Sequence, residues 1–302
     1  MRLEQALSAA SLERTLEQLA QDPAVEYAVA DQRRWPHLVP NDSLFSAQWY
    51  LQAAQPSAIK ATVAWDTTTG SAGTVVAVLD TGVRFDHPDL QRADTAGKLL
   101  PGYDFIADTA GNFAIANDGD GRDPDASDPG DWIDSNDIQQ PEFTDCALTD
   151  SSWHGTRVSG IIAARSNNGI GVSGESWSTW ILPARVLGKC GGFDSDIIAA
   201  MRWAAGLAVG GIPTNPYPAN IINLSLGSDA PCPPSYADVI AELADRGVLV
   251  VASAGNGGSV VHAPANCPGA LAVAAIRHVG TKVGFSSLGP IVGISAPGGN
   301  CV

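Results

Sequence analysis

Asp80 closes an apolar run, Val75 to Leu79, inside the stretch G-T-V-V-A-V-L-D-T-G-V-R-F-D-H-P-D-L that spans Gly73 to Leu90. A run rich in β-branched residues and ended by Asp-Thr-Gly reads as a buried parallel strand that delivers a carboxylate at its carboxyl end. In open α/β sheets ligands bind in the crevice beyond those ends, so Asp80 is placed for chemistry. A candidate partner in that chemistry is His154, which stands in Ser152-Trp153-His154-Gly155-Thr156 just before the apolar, helix-like run Val158 to Ala164, although a lone histidine is more often structural. A neutral imidazole takes a proton from an attacking hydroxyl and later returns it to the leaving group. A carboxylate on its other nitrogen fixes the tautomer and stabilises the imidazolium.

The elements that must hold these two groups are legible in the same pattern. Trp180 to Leu187, Asn220 to Leu224 and Gly247 to Ala252 read as further core strands. Ala61 to Trp65, Asp196 to Ala208 and Tyr236 to Asp245 read as helices, with Met201 and Trp203 facing the core. Asn167 to Gly174 is a turn-rich connection of Gly and Asn. Leucines at 3, 7, 12, 16 and 19 with charges between them predict an amphipathic helix from Leu3 to Leu19. It ends near Gln21-Asp22-Pro23, and Val25 to Ala30 alternates like a strand before Asp31-Gln32-Arg33-Arg34. Pro36 to Asp42 reads as a linker.

Composition narrows the class. A chain of 302 residues buries a full core in one domain with room for a flanking segment. A net charge of −15 argues against a nucleic-acid partner. No apolar run is long enough to span a membrane, and no charged, apolar and small-residue secretory signal opens the sequence. From Asp118 to Asp137 eight aspartates crowd a Gly/Pro-rich loop. Calcium takes six to eight hard oxygens, so Asp118, Asp120, Asp123, Asp125 and Asp128 are candidate ligands, although the spacing departs from an EF-hand. A solvated acidic loop is the other reading. Cys146, Cys190, Cys232, Cys267 and Cys301 form no metal-type C-x-x-C pair and fit disulfides of an oxidising compartment, against the alternative of buried thiols.

Four motifs in order, D-T-G at Asp80, W-H-G-T at His154, N-L-S-L-G at Asn223 to Gly227 and S-A-G-N at Ser253 to Asn256, resemble the subtilisin-like serine peptidases. The resemblance runs from about Trp49 to the last residue. It implies an α/β fold of three layers with a mainly parallel central sheet, incomplete at its C-terminus. Residues 41–302 would be the peptidase domain, with Leu44 to Leu51 at its start, and residues 1–40 a remnant of an inhibitory propeptide with its linker. An ordinary N-terminal helix and linker is the alternative.

By the same resemblance Asp80 and His154 belong to the triad, and the Asn256 amide donates to the oxyanion formed on the attacked carbonyl. A left-handed turn beside Gly257 is the plainer role for Asn256. Gly191, Gly192 and Phe193 resemble the edge strand on which an extended peptide is laid. Ser225, Leu226 and Gly227 resemble one wall of the pocket for the residue before the cut bond, and Ser253, Ala254 and Gly255 the other. Small residues there favour a large apolar or aromatic side chain. Asp89, with Gln48 as a second oxygen ligand, matches a calcium site of relatives, whereas His-Pro-Asp also makes a capped turn. The disulfides implied are Cys190 with Cys232 and Cys267 with Cys301.

Two departures stand out. Relatives carry a histidine where Arg157 stands, and an added cation there is expected to lower the His154 pKa. No G-T-S stretch for the nucleophile occurs, and Ser286, Ser287 and Ser295 precede the expected place without opening a helix. The expectation is a secreted, monomeric serine endopeptidase acting on proteins and peptides, bound by its own propeptide, without nucleic-acid or membrane partners, and inactive as this chain alone. A calcium-dependent peptide-binding module without catalysis is the alternative. A nucleotide-binding α/β domain is disfavoured, because no G-x-G-x-x-G or G-K-[ST] loop is present.

Overall fold

The computed structural model describes residues 8–30, 38–107 and 113–299. The chain divides into two compact units, Met1–His37 and Leu38–Val302.

In the first unit, α1 (Ala9–Ala20) starts where the Ser8 side chain accepts a hydrogen bond from the Ser11 amide. Leu12, Leu16 and Leu19 share one face and stay half-buried, and no residue of the helix is fully buried. The part of the expected helix at Leu3 and Leu7 lies outside the described residues. The strand expected at residues 25–30 does not form. A strand needs a neighbour for its amides and carbonyls, and residues 8–30 hold no second strand, so Tyr27 and Val29 stand in solvent.

The second unit is built on a seven-stranded sheet: β1 (Val75–Asp80), β2 (Tyr103–Asp104), β3 (Trp180–Arg185), β4 (Ile221–Leu224), β5 (Leu249–Ser253), β6 (Leu271–Ile276) and β7 (Val292–Pro297). The order is β2-β3-β1-β4-β5-β6-β7, and every neighbouring pair is parallel. Its helices are α2 (Ala61–Ala64), α3 (His154–Ala163), α4 (Asp194–Ala204) and α5 (Pro234–Ala244).

Successive residues of β1 serve opposite faces. Ala77 and Leu79 pack with Ile197 and Met201 of α4 and Val239, Ile240 and Leu243 of α5. Val76 and Val78 pack with Ala163, Val158 and Ile162 of α3. A strand buried on both faces is apolar throughout, which is why Val75 to Leu79 carries no alternation. These are the three layers expected of the α/β fold. The strand order reverses at β1, with β3 on one side and β4 on the other, so Asp80 ends the strand at a topological switch point. α4 starts two residues before the expected Asp196 and stops at Ala204, and Gly206 just beyond has φ +77°. Gly247 likewise lies in the turn before β5, with φ +74°.

Candidate active site

The fold brings Asp80 and His154 together from opposite ends of the sequence pattern. Asp80, fully buried, accepts from His154 Nδ1 with Oδ1 at 2.8 Å and Oδ2 at 2.9 Å. The Thr81 amide donates to Asp80 Oδ1 at 2.8 Å, which fixes the carboxylate from the other side. His154 is the first residue of α3, and its Nε2 makes no hydrogen bond among the described residues. The hydrogen bond to Asp80 holds the imidazole pKa above its ordinary value, against partial burial. Asp131 adds to the rise. Arg157 acts in the expected downward direction, but it is the smallest of these influences and the net shift is upward, a correction to the sequence expectation.

Residues that the motifs did not single out hold this pair. Thr81 Oγ1 donates to Asp128 Oδ2 at 2.7 Å and accepts from the Gly155 amide at 3.0 Å, tying the first turn of α3 to the end of β1. Asp131 accepts from the Ser152 amide at 2.6 Å and from Ser152 Oγ at 2.7 Å, and Ser152 Oγ accepts from the His154 amide at 3.2 Å. Gly155 has no room for a side chain, since a Cβ there would lie 2.2 Å from the Gly82 carbonyl and 3.1 Å from Asp80 Cβ. On the neighbouring strand Arg185 stands in register with Asp80, fully buried, and donates to Asp104, Asp118 and the Ala116 carbonyl. Burial pushes Asp104 up to about 7 in spite of Arg185.

His154 opens on a cavity of about 650 Å³. Ser225, Leu226 and Gly227 line it on one side, and Gly191 and Gly192 on another. The proposed second wall, Ser253, Ala254 and Gly255, does not line this cavity, because the chain there continues along β6, where the Ala254 amide donates to the Val273 carbonyl at 2.9 Å. Gly191 to Phe193 is not an edge strand either. Residues 188–191 close a tight turn, with the Gly188 amide donating to the Gly191 carbonyl at 2.9 Å and Gly191 at φ +104°. Phe193 lies outside the cavity and is 56% exposed. Asn256 follows β5 at the sheet edge where β1 and β4 also end, exposed and without a side-chain hydrogen bond among the described residues. It is not one of the residues with positive φ, so the plain turn role does not apply to it.

The disulfides differ from those implied by resemblance. Cys146 joins Cys190 and Cys232 joins Cys267, with Cα atoms 5.9 and 5.0 Å apart, and Cys301 lies outside the described residues. The antiparallel bridge of Ser228 with Ala263, and the Ala263 amide donating to the Ala230 carbonyl at 3.0 Å, set the two segments of the second pair side by side. Cys190, carried on the turn at 188–191, is left to face the segment of Cys146, and both line the cavity.

The acidic loop does not converge on one point. Among the described residues no group of three His, Cys, Asp or Glu side chains could hold a metal. Its carboxylates turn back on their own chain instead. Asp118 accepts from the Asp120 amide at 3.3 Å, Asp123 from the Asp125 amide at 2.9 Å, and Asp125 from the Ser127 amide at 3.0 Å. Asp118 also meets Arg185, and Asp128 meets Thr81.

Gln48 and Asp89, by contrast, reach the same loop. Gln48 Oε1 accepts from the Ser173 amide at 2.7 Å, and Asp89 Oδ2 from the Val172 amide at 2.9 Å, with Asn168 Nδ2 on Asp89 Oδ1 at 2.9 Å. Asp89 is 1% exposed with no ion-pair partner among the described residues, and burial raises its pKa. The oxygens of Asp89 and Gln48 thus face N–H donors of one loop, and carboxylate and amide oxygens are the donor types that a hard cation takes.

Comparison with known proteins agrees with this geometry. The Subtilase family model matches residues 71–302. An extracellular protease of Xanthomonas campestris pv. campestris is 42% identical over 300 residues, 99% of this chain and 49% of that protein. An extracellular basic protease of Dichelobacter nodosus is 39% identical, covering 94% of this chain and 46% of its own length. The chain thus spans about half the length of these relatives. The solved structure of a protease from Pseudoalteromonas arctica superposes with a TM-score of 0.78 at 42% identity, over 86% of this chain and 73% of that one. With motif order, sheet topology and the Asp80–His154 contact all in agreement, this chain belongs to the subtilase family.

Proposed function

We propose that this chain carries the acid–base part of a serine endopeptidase that hydrolyses peptide bonds of proteins. The observation that supports it most is the grip of Asp80 on His154 Nδ1, which leaves Nε2 open at the mouth of the cavity. In that geometry Nε2 takes the proton of an attacking serine hydroxyl, Asp80 stabilises the imidazolium, and the proton passes on to the leaving amine. Asn256, at the ends of the same strands with a free amide, is the donor to the developing oxyanion.

The rest of the reading follows the same lines. The protein is secreted, in keeping with two disulfides and with relatives named as extracellular proteases. Residues 1–40 belong to a propeptide and its linker, and the protein works as a monomer on protein or peptide substrates. Gln48, Asp89 and the oxygens of residues 167–172 would hold a structural calcium ion, which supplies charge to pin that loop and takes no part in the acid–base steps. Among the described residues no hydroxyl meets Nε2, so they supply the acid and the base of the triad and not its nucleophile.

A fluorophosphonate probe tests the assignment. No serine of the 302-residue polypeptide is expected to be labelled, whereas a version extended by an in-frame G-T-S stretch should label at that serine and lose the label in His154→Ala. Labelling of the 302-residue chain at Ser225 or Ser287 would overturn it.

A further inference from the structure

The cavity beside His154 has a charge character that the peptidase reading leaves unassigned. Two carboxylates, Asp131 and Asp194, line it, and no lysine or arginine does. Neither acid has an ion-pair partner among the described residues. Lys189, between two lining residues in sequence, is turned away: its ammonium pairs with Asp137 at 2.8 Å and lies over the Trp132 ring at 4.5 Å.

The two acids are held differently. Asp131 has both oxygens engaged by Ser152 and belongs to the support of His154. Asp194 opens α4 and is exposed, and its side-chain partner among the described residues is the Tyr236 hydroxyl, which donates to Oδ1 at 3.0 Å. Tyr236 is a neutral donor, kept protonated by burial and by Asp194 itself. The Asp194 carboxylate is therefore oriented by Tyr236 and has no ionic partner among the described residues. Ile133, Leu187, Ile197 and Leu226 give the same cavity an aliphatic part of its lining. An aliphatic passage with an anionic end matches the (CH2)n stem and cationic head of lysine or arginine.

We infer that this cavity is the subsite for a basic side chain of the bound peptide, with Asp194 as its specificity-determining residue. The inference rests on the peptide-cleft reading above and deepens it from proteins in general to peptides carrying Lys or Arg, in place of the large apolar or aromatic side chain expected from the small wall residues, because Asp194 also lines the cavity. Asp194 is exposed, so its attraction for a cation is screened and recognition weakens with salt. The Cys146–Cys190 disulfide ties together two segments that line the cavity.

The test uses the 302-residue chain. Fluorescein-labelled alanine hexapeptides, each with one Lys, Arg, norleucine or Glu scanned along its positions, are titrated by fluorescence anisotropy. At one position Lys and Arg are expected to bind about tenfold tighter than norleucine at low salt, with Glu weakest. The Lys-to-norleucine ratio should fall below about threefold in Asp194→Asn, recover in Asp194→Glu, and invert toward Glu in Asp194→Lys. Circular dichroism melting of each variant separates loss of fold from loss of preference. Equal binding of all four peptides at every position would overturn the inference and leave the cleft reading standing. Absence of any peptide binding, with the fold intact, would overturn both.

Discussion

His154 shows how one contact sets a residue's chemistry. Its pKa is raised chiefly by the Asp80 hydrogen bond, so the imidazole gains a proton on the acid side more readily in the folded chain than in the unfolded one. Such a group contributes stability that is fully present below its unfolded value of about 6.5 and is lost as the pH climbs through the raised folded value. Asp80→Asn removes the contribution. The stability gap between the native chain and this variant, read by urea unfolding, should therefore be larger near pH 6 than near pH 9, and an equal gap would contradict the assigned cause. The gap is small in absolute size, because 44% of the His154 side chain is open to solvent. As a base His154 needs to be neutral, so any activity it supports rises on the alkaline side of the ordinary imidazole range.

At the scale of elements, the site depends on how closely α3 can approach β1. Gly155→Ala would place a methyl 2.2 Å from the Gly82 carbonyl, and backbone cannot move aside as a flexible side chain can. A loss of about 1–3 kcal/mol in urea unfolding, with a weakened His154–Asp80 hydrogen bond, is expected. Wild-type stability in this variant would contradict the packing described.

The same elements show what a sequence conveys. Strands β1, β3 and β4 were legible because burial on both faces leaves continuous apolar runs, and Asp80 was legible because it interrupts one. β2 has two residues, Tyr103 and Asp104, and depends on Arg185, an arginine that sequence pattern alone would place in solvent. Thr81, Asp131 and Ser152 act through hydrogen bonds between segments far apart in the chain, as with Thr81 and Asp128, 47 residues apart. The disulfide pairing was misjudged for the same reason, since it follows the Ser228–Ala263 bridge and the turn at 188–191. In the acidic loop, D-x-D spacing served local turns, which composition does not distinguish from a cation cage.

For the whole second unit, the proposed cation site links the entry segment at Gln48, the turn at Asp89 and the loop at 167–173, three stretches far apart in sequence. A ligand bound only by the folded state stabilises by about 2.7 kcal/mol at a hundredfold excess over its dissociation constant. Calcium is thus expected to raise the melting temperature of the native chain by several degrees over a chelator control, and to have little effect on Asp89→Asn. An Asp89→Asn chain that responds fully to calcium would place the ion elsewhere.

The account turns on His154 being held at Nδ1 by Asp80 with Nε2 free, and NMR of the imidazole reads this directly. With 15N-histidine labelling, the 302-residue chain should show a downfield Nδ1 proton for the neutral ring and a His154 pKa above 6.5 that falls in Asp80→Asn. A His154 that titrates at the ordinary value in both chains, with no protected Nδ1 proton, would contradict it.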